Sequence, residues 1–457
     1  MPENQLQLTF PSGPVRKLAT GWLTLALLSL VGSGLVVLLV ILARVPVIHD
    51  LIPWTGSFKT ALVIHVDLSV LVWFLSFAGL MGTLSLSHRA IQLGRASLAT
   101  AAVGAFLIAF SPFLGEDAPF LNNYVPILAN NAFFLGLTLF SLGFFAVALT
   151  TLFFRREATG EGEKKLDFGL VSAMVIAFFA LASLLWSYLA IPESLSLLKE
   201  ERYYELLFWG PGHILQFTHT QLLMVAWFWL ATATGSRKVA PLNLIIPLFA
   251  LGALPALLGP LIHLIYDIDA IEHRTAFTDL MYWGGGPAAL IAGLWVFRSQ
   301  WNIQTTQDKT RPQRLALLYS LVLFGAGGWI GFMIDGVNTI IPAHYHGSIV
   351  SVTLAYMGLT YHILPGLGFR RPAPNWSSWQ LMLYSGGSLL HIVGLAWSGG
   401  HGVQRKTAGA AQGLETIADK IPMWVMGLGG VAAVIGGILF LVLTFKSLRT
   451  KRTELAS

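Results

Sequence analysis

Twelve stretches of about 20 or more mostly apolar residues limit what this chain can fold into, because each is long enough to cross a bilayer as a helix. Of the 457 residues, 55% are hydrophobic and only 11% are charged, and the mean hydropathy is +0.68. We therefore predict an all-α integral membrane protein with twelve transmembrane helices, forming a single membrane domain over residues 1–457. The predicted spans lie near residues 17–45, 58–86, 96–115, 128–154, 167–190, 206–235, 240–266, 274–299, 313–335, 341–367, 375–400 and 421–446.

Basic residues are distributed unevenly between the two sides of the predicted bundle. If the N-terminus is cytoplasmic, most of the 28 lysine and arginine residues fall in inner segments, as is usual for membrane proteins. This asymmetry predicts a multi-pass protein of a bacterial inner membrane with both termini in the cytoplasm. The formal charge of +6 then reflects topology, and we expect no nucleic-acid partner. The first span is too long, and too basic on its inner flank, for a cleaved signal peptide.

The chain contains no cysteine, which excludes several kinds of redox centre from it. Structural disulfides, thiolate metal sites, iron–sulfur clusters and a covalently attached c-type haem all need cysteine. Any electrons that reach this chain must therefore come from a quinol or from another protein.

Two histidines, His344 and His346, stand close together at the start of the tenth predicted span. A polar ring inside a membrane is costly, so a histidine there needs a functional or structural reason. Residues two positions apart on a helix differ by roughly 200°, so the two rings leave opposite faces and do not bind one small ion together. This geometry suits two flat cofactors, one on each side, and haem iron takes histidine as an axial ligand.

Further histidines are predicted at the same depth of the membrane. With the orientation above and a rise of about 1.5 Å per helical residue, five predicted spans carry histidine in the outer layer. A single membrane histidine is often only a hydrogen-bonded residue between helices, but a shared depth on five helices favours a common site. The residues at this depth are His65, His213, His263, His344, His346 and His391.

Histidines on the second, sixth, seventh and tenth of twelve spans resemble catalytic subunit I of the haem–copper oxidase superfamily. The sharpest match is Ala-His-Tyr-His at 343–346, which is similar to the Ala-His-Phe-His sequence of that family. The resemblance implies that His344 is the axial ligand of a high-spin haem. It also implies that His346 and His65 ligate a low-spin haem from its two sides, so that the chain holds two haem cofactors.

The resemblance further implies a second metal, copper or non-haem iron, with an incomplete set of ligands. His213 matches the first ligand of that metal on the sixth span, and His263 matches the second member of a histidine pair on the seventh. Ile262 stands where the family has the first member, and an alignment on the Gly-Pro at 259–260 would leave His263 unmatched as well. Gln216, one turn after His213, is the remaining polar candidate, as a ligand or as a hydrogen-bond partner of a bound ligand.

Two further comparisons with the family concern a tyrosine and a basic pair. The redox-active tyrosine of the sixth span is replaced here by Phe217, and Tyr266 or Tyr345 would have to substitute for it. Arg405 and Lys406 resemble the basic pair that binds haem propionates in the family, although such a pair is often only a solvated turn.

The function that the resemblance implies is the catalytic subunit I of a cytochrome c oxidase-like respiratory complex. Electrons from cytochrome c, a donor subunit or a quinol would pass from the low-spin to the high-spin haem, and dioxygen would be reduced with a metal held by His213 and His263. A nitric oxide reductase-like subunit is one alternative. A haem paralogue without the second metal, acting in electron transfer or gas sensing, is another, and Ile262 and Phe217 favour it. A transporter with membrane histidines would bind no haem.

Overall fold

The computed structural model describes residues 5–51, 57–115, 118–193, 200–236, 238–301 and 308–451. Within those ranges, twelve helices are long and apolar enough to cross a membrane, and each predicted span overlaps one of them. The predicted fold class is therefore confirmed. The helices are α1 (Gly13–Leu42), α2 (Phe58–Leu84), α3 (His88–Phe113), α4 (Asn131–Phe153), α5 (Glu161–Ala190), α6 (Glu201–Ala233), α7 (Leu242–Ile265), α8 (Ile271–Trp301), α9 (Asp308–Gly331), α10 (Ile340–Gly366), α11 (Pro374–Gly400) and α12 (Ile417–Leu448).

Short elements lie in three of the connections. Strands β1 (Pro119–Phe120) and β2 (Ile127–Leu128) form an antiparallel hairpin between α3 and α4. A one-turn helix, Ile48–Leu51, follows α1, and a 3₁₀ turn, Gly409–Gln412, precedes α12. The hairpin carries a loop that reaches one of the candidate histidines, as described below.

Three membrane helices are locally irregular near candidate residues. In α2 a π-helical turn, Asp67–Val72, begins two residues after His65, and such turns are frequent at functional sites. In α7 a 3₁₀ turn, Gly259–Leu261, interrupts the helix at a proline, which has no amide hydrogen to donate. α8 begins at Ile271, earlier than predicted, so His273 lies in its first turn and not in a loop.

The helices group into two compact units. The first unit contains Met1–Ser29 and Val66–Asn302, and the second contains Leu30–His65 and Ile303–Ser457. The most buried membrane helix of the first unit is α6, with 78% of its apolar window inside the protein, and that of the second is α10, with 83%. The candidate histidines of α6 and α10 therefore lie on the helices that are best shielded from lipid. The single domain over residues 1–457 stays a prediction.

Glycines allow neighbouring helix backbones of the second unit to touch. A methyl group on Gly387 of α11 would lie 2.5 Å from the backbone nitrogen of Ala433 on α12, and one on Gly394 would overlap α12 as well. Between α9 and α10, Gly327 and Gly347 face each other in the same way. Small residues at such contacts give membrane helices the close packing that the hydrophobic effect does not supply in lipid.

We predict that Gly387→Ala destabilises the protein by about 1–3 kcal/mol, because the added methyl group forces α11 and α12 apart. Gly386→Ala is the matched control, since the neighbouring glycine has open space where its methyl group would lie. The control should be neutral, or stabilising by up to about 1 kcal/mol through helix propensity. Thermal unfolding of the two purified variants in detergent checks this. Equal loss of stability in both would contradict the role assigned to Gly387.

Candidate functional site

Hydrogen bonds near the start of α10 fix the orientation of the two histidine rings that lie there. Nδ1 of His346 lies 2.6 Å from the carbonyl oxygen of Pro342, one turn earlier on the same helix. Nδ1 of His344 lies 2.8 Å from the carbonyl oxygen of Gly327 on α9. A carbonyl oxygen only accepts hydrogen bonds, so Nδ1 of each ring carries the proton and donates it. Nε2 of each neutral ring is then left with a lone pair, which is the form that binds a metal ion.

His65 is held by a residue of α1 in the same unit. Its Nδ1 lies 2.7 Å from the hydroxyl oxygen of Ser33, which also donates to the carbonyl oxygen of His65 at 3.3 Å. A serine hydroxyl that donates to that carbonyl is able to accept from Nδ1, which again leaves the lone pair on Nε2. His65 and His346, the predicted ligands of the low-spin haem, are thus each oriented by a hydrogen bond at Nδ1.

A third histidine of the second unit lies beside this pair. The ring centroids of His346 and His391 are 5.0 Å apart, and Nδ1 of His391 lies 2.9 Å from the carbonyl oxygen of Met426 on α12. His65 is close enough to His391 to interact with it electrostatically. The structure therefore brings together three of the histidines that the sequence places at one depth.

Basic side chains lie near the same histidines. Arg405 and Arg44 both interact electrostatically with Tyr345, whose ring stacks on His346 with centroids 5.0 Å apart. Lys406 follows Arg405 in a left-handed turn with φ of +60°. Arg44, just beyond the end of α1, is only 9% exposed, and burial lowers its pKa to about 10.

The residues of the second unit fit haem. Nδ1 of His344, His346 and His391 donates to a backbone carbonyl oxygen, so Nε2 of each ring carries the lone pair that haem iron takes as an axial ligand. Nε and Nη2 of Arg44 are buried and have no hydrogen-bond partner within the part of the chain that the structure describes. A buried guanidinium without an acceptor is costly, and an oxygen-bearing substituent of a bound haem would supply that acceptor.

In the first unit, His213 of α6 has protein partners at both ring nitrogens. Its Nδ1 donates to the carbonyl oxygen of Trp209 at 2.7 Å, and the hydroxyl of Tyr124 donates to its Nε2 at 2.9 Å. Tyr124 lies in the loop of the β1–β2 hairpin. Gly212 makes room for it, because a methyl group on that glycine would overlap the tyrosine ring.

Polar contacts fix the position of the hairpin loop that carries Tyr124. The side-chain oxygen of Asn122 accepts from the backbone nitrogen of Tyr124 at 3.0 Å. Glu205 of α6 accepts from the backbone nitrogen of Asn123 at 3.1 Å and lies 3.9 Å from Arg274 of α8. The hydroxyl of Tyr124 is therefore positioned by residues of three chain segments.

His263, at the end of α7, is paired with a second histidine. Its Nε2 lies 2.7 Å from the hydroxyl of Ser183, and its Nδ1 lies 3.0 Å from Nε2 of His273. The ring of Trp186 stacks nearly parallel to that of His263, at 5.8 Å and 14°. Both histidines are buried, with 8% of His263 and 1% of His273 exposed.

Three histidine rings of the first unit surround one phenyl ring. The centroid of Phe277 lies 6.0 Å from that of His213, 5.2 Å from that of His263 and 5.0 Å from that of His273. Phe277 thus packs against all three imidazoles. Among the residues with described positions, no three histidine, cysteine or acidic side chains stand together as a metal-binding group.

The other residues singled out by sequence are placed less closely to the histidines. Gln216 is exposed, and its carbonyl oxygen accepts from the hydroxyl of Thr220. Phe217 is buried in an apolar cluster of the first unit. Tyr266 is 38% exposed at the end of α7. Tyr124, whose hydroxyl donates to His213, was not singled out by the sequence, whereas Tyr345, which stacks on His346, was.

Comparison with known proteins gives the family. The family model of cytochrome c and quinol oxidase polypeptide I matches residues 17–439. A protein of Rickettsia prowazekii (strain Madrid E) described as uncharacterized is 30% identical, over 94% of this chain and 96% of its own length. Another of Aquifex aeolicus (strain VF5), also described as uncharacterized, is 30% identical over 76% of this chain and 85% of its own length.

A solved structure supports the same fold. The cryo-electron microscopy structure of a heme-copper terminal oxidase dimer superimposes with a TM-score of 0.77, covering 98% of this chain and 86% of that chain at 16% identity. The fold is therefore that of a haem–copper oxidase subunit I. The chain belongs to the family of cytochrome c and quinol oxidase polypeptide I, and it is a haem–copper oxidase-type oxidoreductase embedded in a membrane.

Sequence reasoning missed Tyr124, His273 and Arg44. His273 lies just before the eighth predicted span, 274–299, so the sequence places it outside the membrane helix. The tyrosine lies in a hairpin loop that carries no pattern of its own, 89 positions from His213. The sequence does mark Arg44, because a charged residue near the end of an apolar span is unusual.

We predict that Gly331→Ala disturbs the proposed high-spin haem site. A methyl group there would lie 2.8 Å from Nδ1 of His344 and would break the hydrogen bond to Gly327. The affinity for haem should fall about 10-fold, as is usual when the support of a metal ligand is removed. Gly328→Ala, on the same helix with open space around the added methyl group, is the control. Carbon monoxide difference spectra per mole of purified protein measure the effect, and equal amplitudes in both variants would refute it.

Proposed function

We propose that this protein is the haem-binding catalytic subunit I of a cytochrome c oxidase-like respiratory complex that reduces dioxygen. A low-spin haem would be ligated by His65 and His346, and a high-spin haem by His344. The observation that carries the proposal is the set of hydrogen bonds at Nδ1, because they orient all three rings and favour the tautomer with its proton on Nδ1. When bound, the two haems would transfer electrons and bind the gas.

The residues around these histidines have separate tasks in the proposal. Ser33 and the carbonyl oxygens of Pro342 and Gly327 keep the rings in one tautomer and one orientation. Arg405 and Lys406 would neutralise haem propionates, and Arg44 would donate to an oxygen of a haem substituent.

The second metal, copper or non-haem iron, is proposed on His213 and His263. Imidazole nitrogen suits both metals. Nε2 of His213 already accepts from Tyr124, so this nitrogen binds a metal only after the tyrosine hydroxyl has turned away. Gln216 is then left as a hydrogen-bond partner for a bound ligand at most, since its side chain is exposed.

Electrons would come from cytochrome c, a donor subunit or a quinol, because a chain without cysteine has no thiolate copper centre or covalent haem of its own. The excess of basic residues in alternate loops supports a bacterial inner membrane with both termini in the cytoplasm. Aerobic respiration is the process that this combination serves.

Two sets of residues favour alternative functions. Phe217 stands where oxidases of the family have a tyrosine, and a nitric oxide reductase-like subunit would do without that phenol. Tyr124 at His213, and Ile262 in place of a histidine, favour a paralogue that holds haem without the second metal and serves electron transfer or gas sensing.

We predict that His65→Ala and His344→Ala remove different haem signals. Loss of His65 should abolish the low-spin bis-histidine spectrum and keep binding of carbon monoxide, whereas loss of His344 should abolish carbon monoxide binding. His219→Ala is the control, because this partly buried histidine packs on Phe74 and has no place in the proposed sites. Pyridine haemochrome assays should give two haems per wild-type chain.

Gas consumption by the same preparations decides between the reactions. With a reduced cytochrome c or quinol supplied, uptake of dioxygen that is lost in both variants and kept in the control supports the oxidase. Uptake of nitric oxide alone would move the assignment to the reductase. A wild-type protein that carries no haem would rule out the proposed function altogether.

A further inference from the structure

We propose that His273 supplies the histidine that the seventh span lacks, so that His263 and His273 together form the cation-binding pair of the first unit. This inference deepens the proposed function, because it names a ligand of the second metal that the sequence does not indicate. It follows from the distance between the two rings, from the partners that hold them and from the environment of Ile262.

The two rings face each other with nitrogen towards nitrogen. Nδ1 of His263 and Nε2 of His273 are 3.0 Å apart, so one of them donates a proton to the lone pair of the other. Two nitrogens at this separation are able to bind one ion at about 2.0–2.1 Å each, with the ion beside the line that joins them and both rings turned towards it. If the shared proton moves to the other nitrogen of the donating ring, both rings stay neutral and both facing nitrogens carry a lone pair for the ion.

The partners of His263 are those expected of a metal ligand. Nε2 lies 2.7 Å from the hydroxyl oxygen of Ser183, which is able to accept the proton of that nitrogen. Nδ1 is then the nitrogen with the lone pair, and it is the one that faces His273. Stacking of Trp186 on the ring keeps the plane of His263 fixed. Such support from neighbouring groups orients a ligand and raises its affinity for metal.

Ile262, which stands at the position of the missing histidine, has an apolar side chain that binds no metal. It packs, partly buried, against the apolar cluster that includes Ile176, Phe217 and Phe277. The chain turns after α7 and re-enters as α8, whose first turn brings His273 back to His263. A histidine ten positions further along the chain therefore occupies the second ligand position in space.

The third ring around Phe277 has other hydrogen-bond partners than the pair. His213 is hydrogen-bonded to Tyr124 and Trp209 and packs on the same phenyl ring as His263 and His273. The pair alone thus offers two imidazole nitrogens, and the other positions around an ion are left to His213 after Tyr124 has turned away, or to small ligands. Copper and iron, and also zinc, accept such a set.

The test is metal analysis of the purified full-length protein. We expect about one non-haem metal ion per two haems in the wild type, retained in His219→Ala and lost in His263→Ala and His273→Ala. Titration of the metal-stripped proteins with Cu²⁺ should show an affinity at least 10-fold weaker without His273. The electron paramagnetic resonance spectrum of bound Cu²⁺ should lose nitrogen hyperfine structure from one imidazole.

A second variant guards against misfolding. His273→Asn keeps a side chain able to hydrogen-bond His263 and is a poor ligand of these metals, so it should keep the thermal stability of the wild type and still lose the metal. Metal retained in both His273 variants, with both haems in place, would overturn this inference and leave the proposed oxidase function intact. A wild type with two haems and no further metal would overturn it as well. Absence of haem from the wild type would instead refute the proposed function itself.

Discussion

A buried imidazole needs a hydrogen-bond partner for its N–H group, and the candidate sites of this protein depend on how that need is met. For three histidines of the second unit, His344, His346 and His391, the partner is a backbone carbonyl oxygen, which accepts from Nδ1. A carbonyl oxygen cannot donate in return, so each ring is held in one tautomer with Nε2 free of a proton. Close helix packing is a condition for this, because Gly327 and Met426 offer their carbonyl oxygens from neighbouring helices.

In the first unit the carbonyl oxygen of Trp209 accepts from His213, and side chains contact the other ring nitrogens of His213 and His263. Tyr124 donates to Nε2 of His213, and Ser183 and His273 flank His263. Hydroxyl and imidazole groups both donate and accept, so these hydrogen bonds are able to reverse or exchange as a proton or a metal ion arrives. A metal at His213 therefore requires the tyrosine to turn away, whereas Nε2 of the proposed haem ligands His344 and His346 already carries the lone pair.

Much of the fold was predictable from sequence, and part of the candidate site was too. Windows of apolar residues located each of the twelve membrane helices within the described part of the chain, because a helix satisfies its own backbone polar groups inside a bilayer. The histidines of α10 stood out because a polar ring is costly inside a membrane. Gln216 was placed beside His213 by helical spacing alone, and its exposed position shows that sharing a helix face does not decide which neighbour a side chain meets. Roles of all these residues stay predictions.

The sequence by itself determined a membrane-embedded, all-helical chain of the haem–copper oxidase family, with histidines on the second, sixth, seventh and tenth spans, since hydropathy and short motifs are local properties. Only the tertiary structure decided which groups those histidines meet. The approach of Tyr124 to His213 joins residues 89 positions apart, and the pairing of His263 with His273 depends on how the chain turns between α7 and α8. Contacts of this kind arise from helix packing and loop geometry, which no local pattern of residue types records.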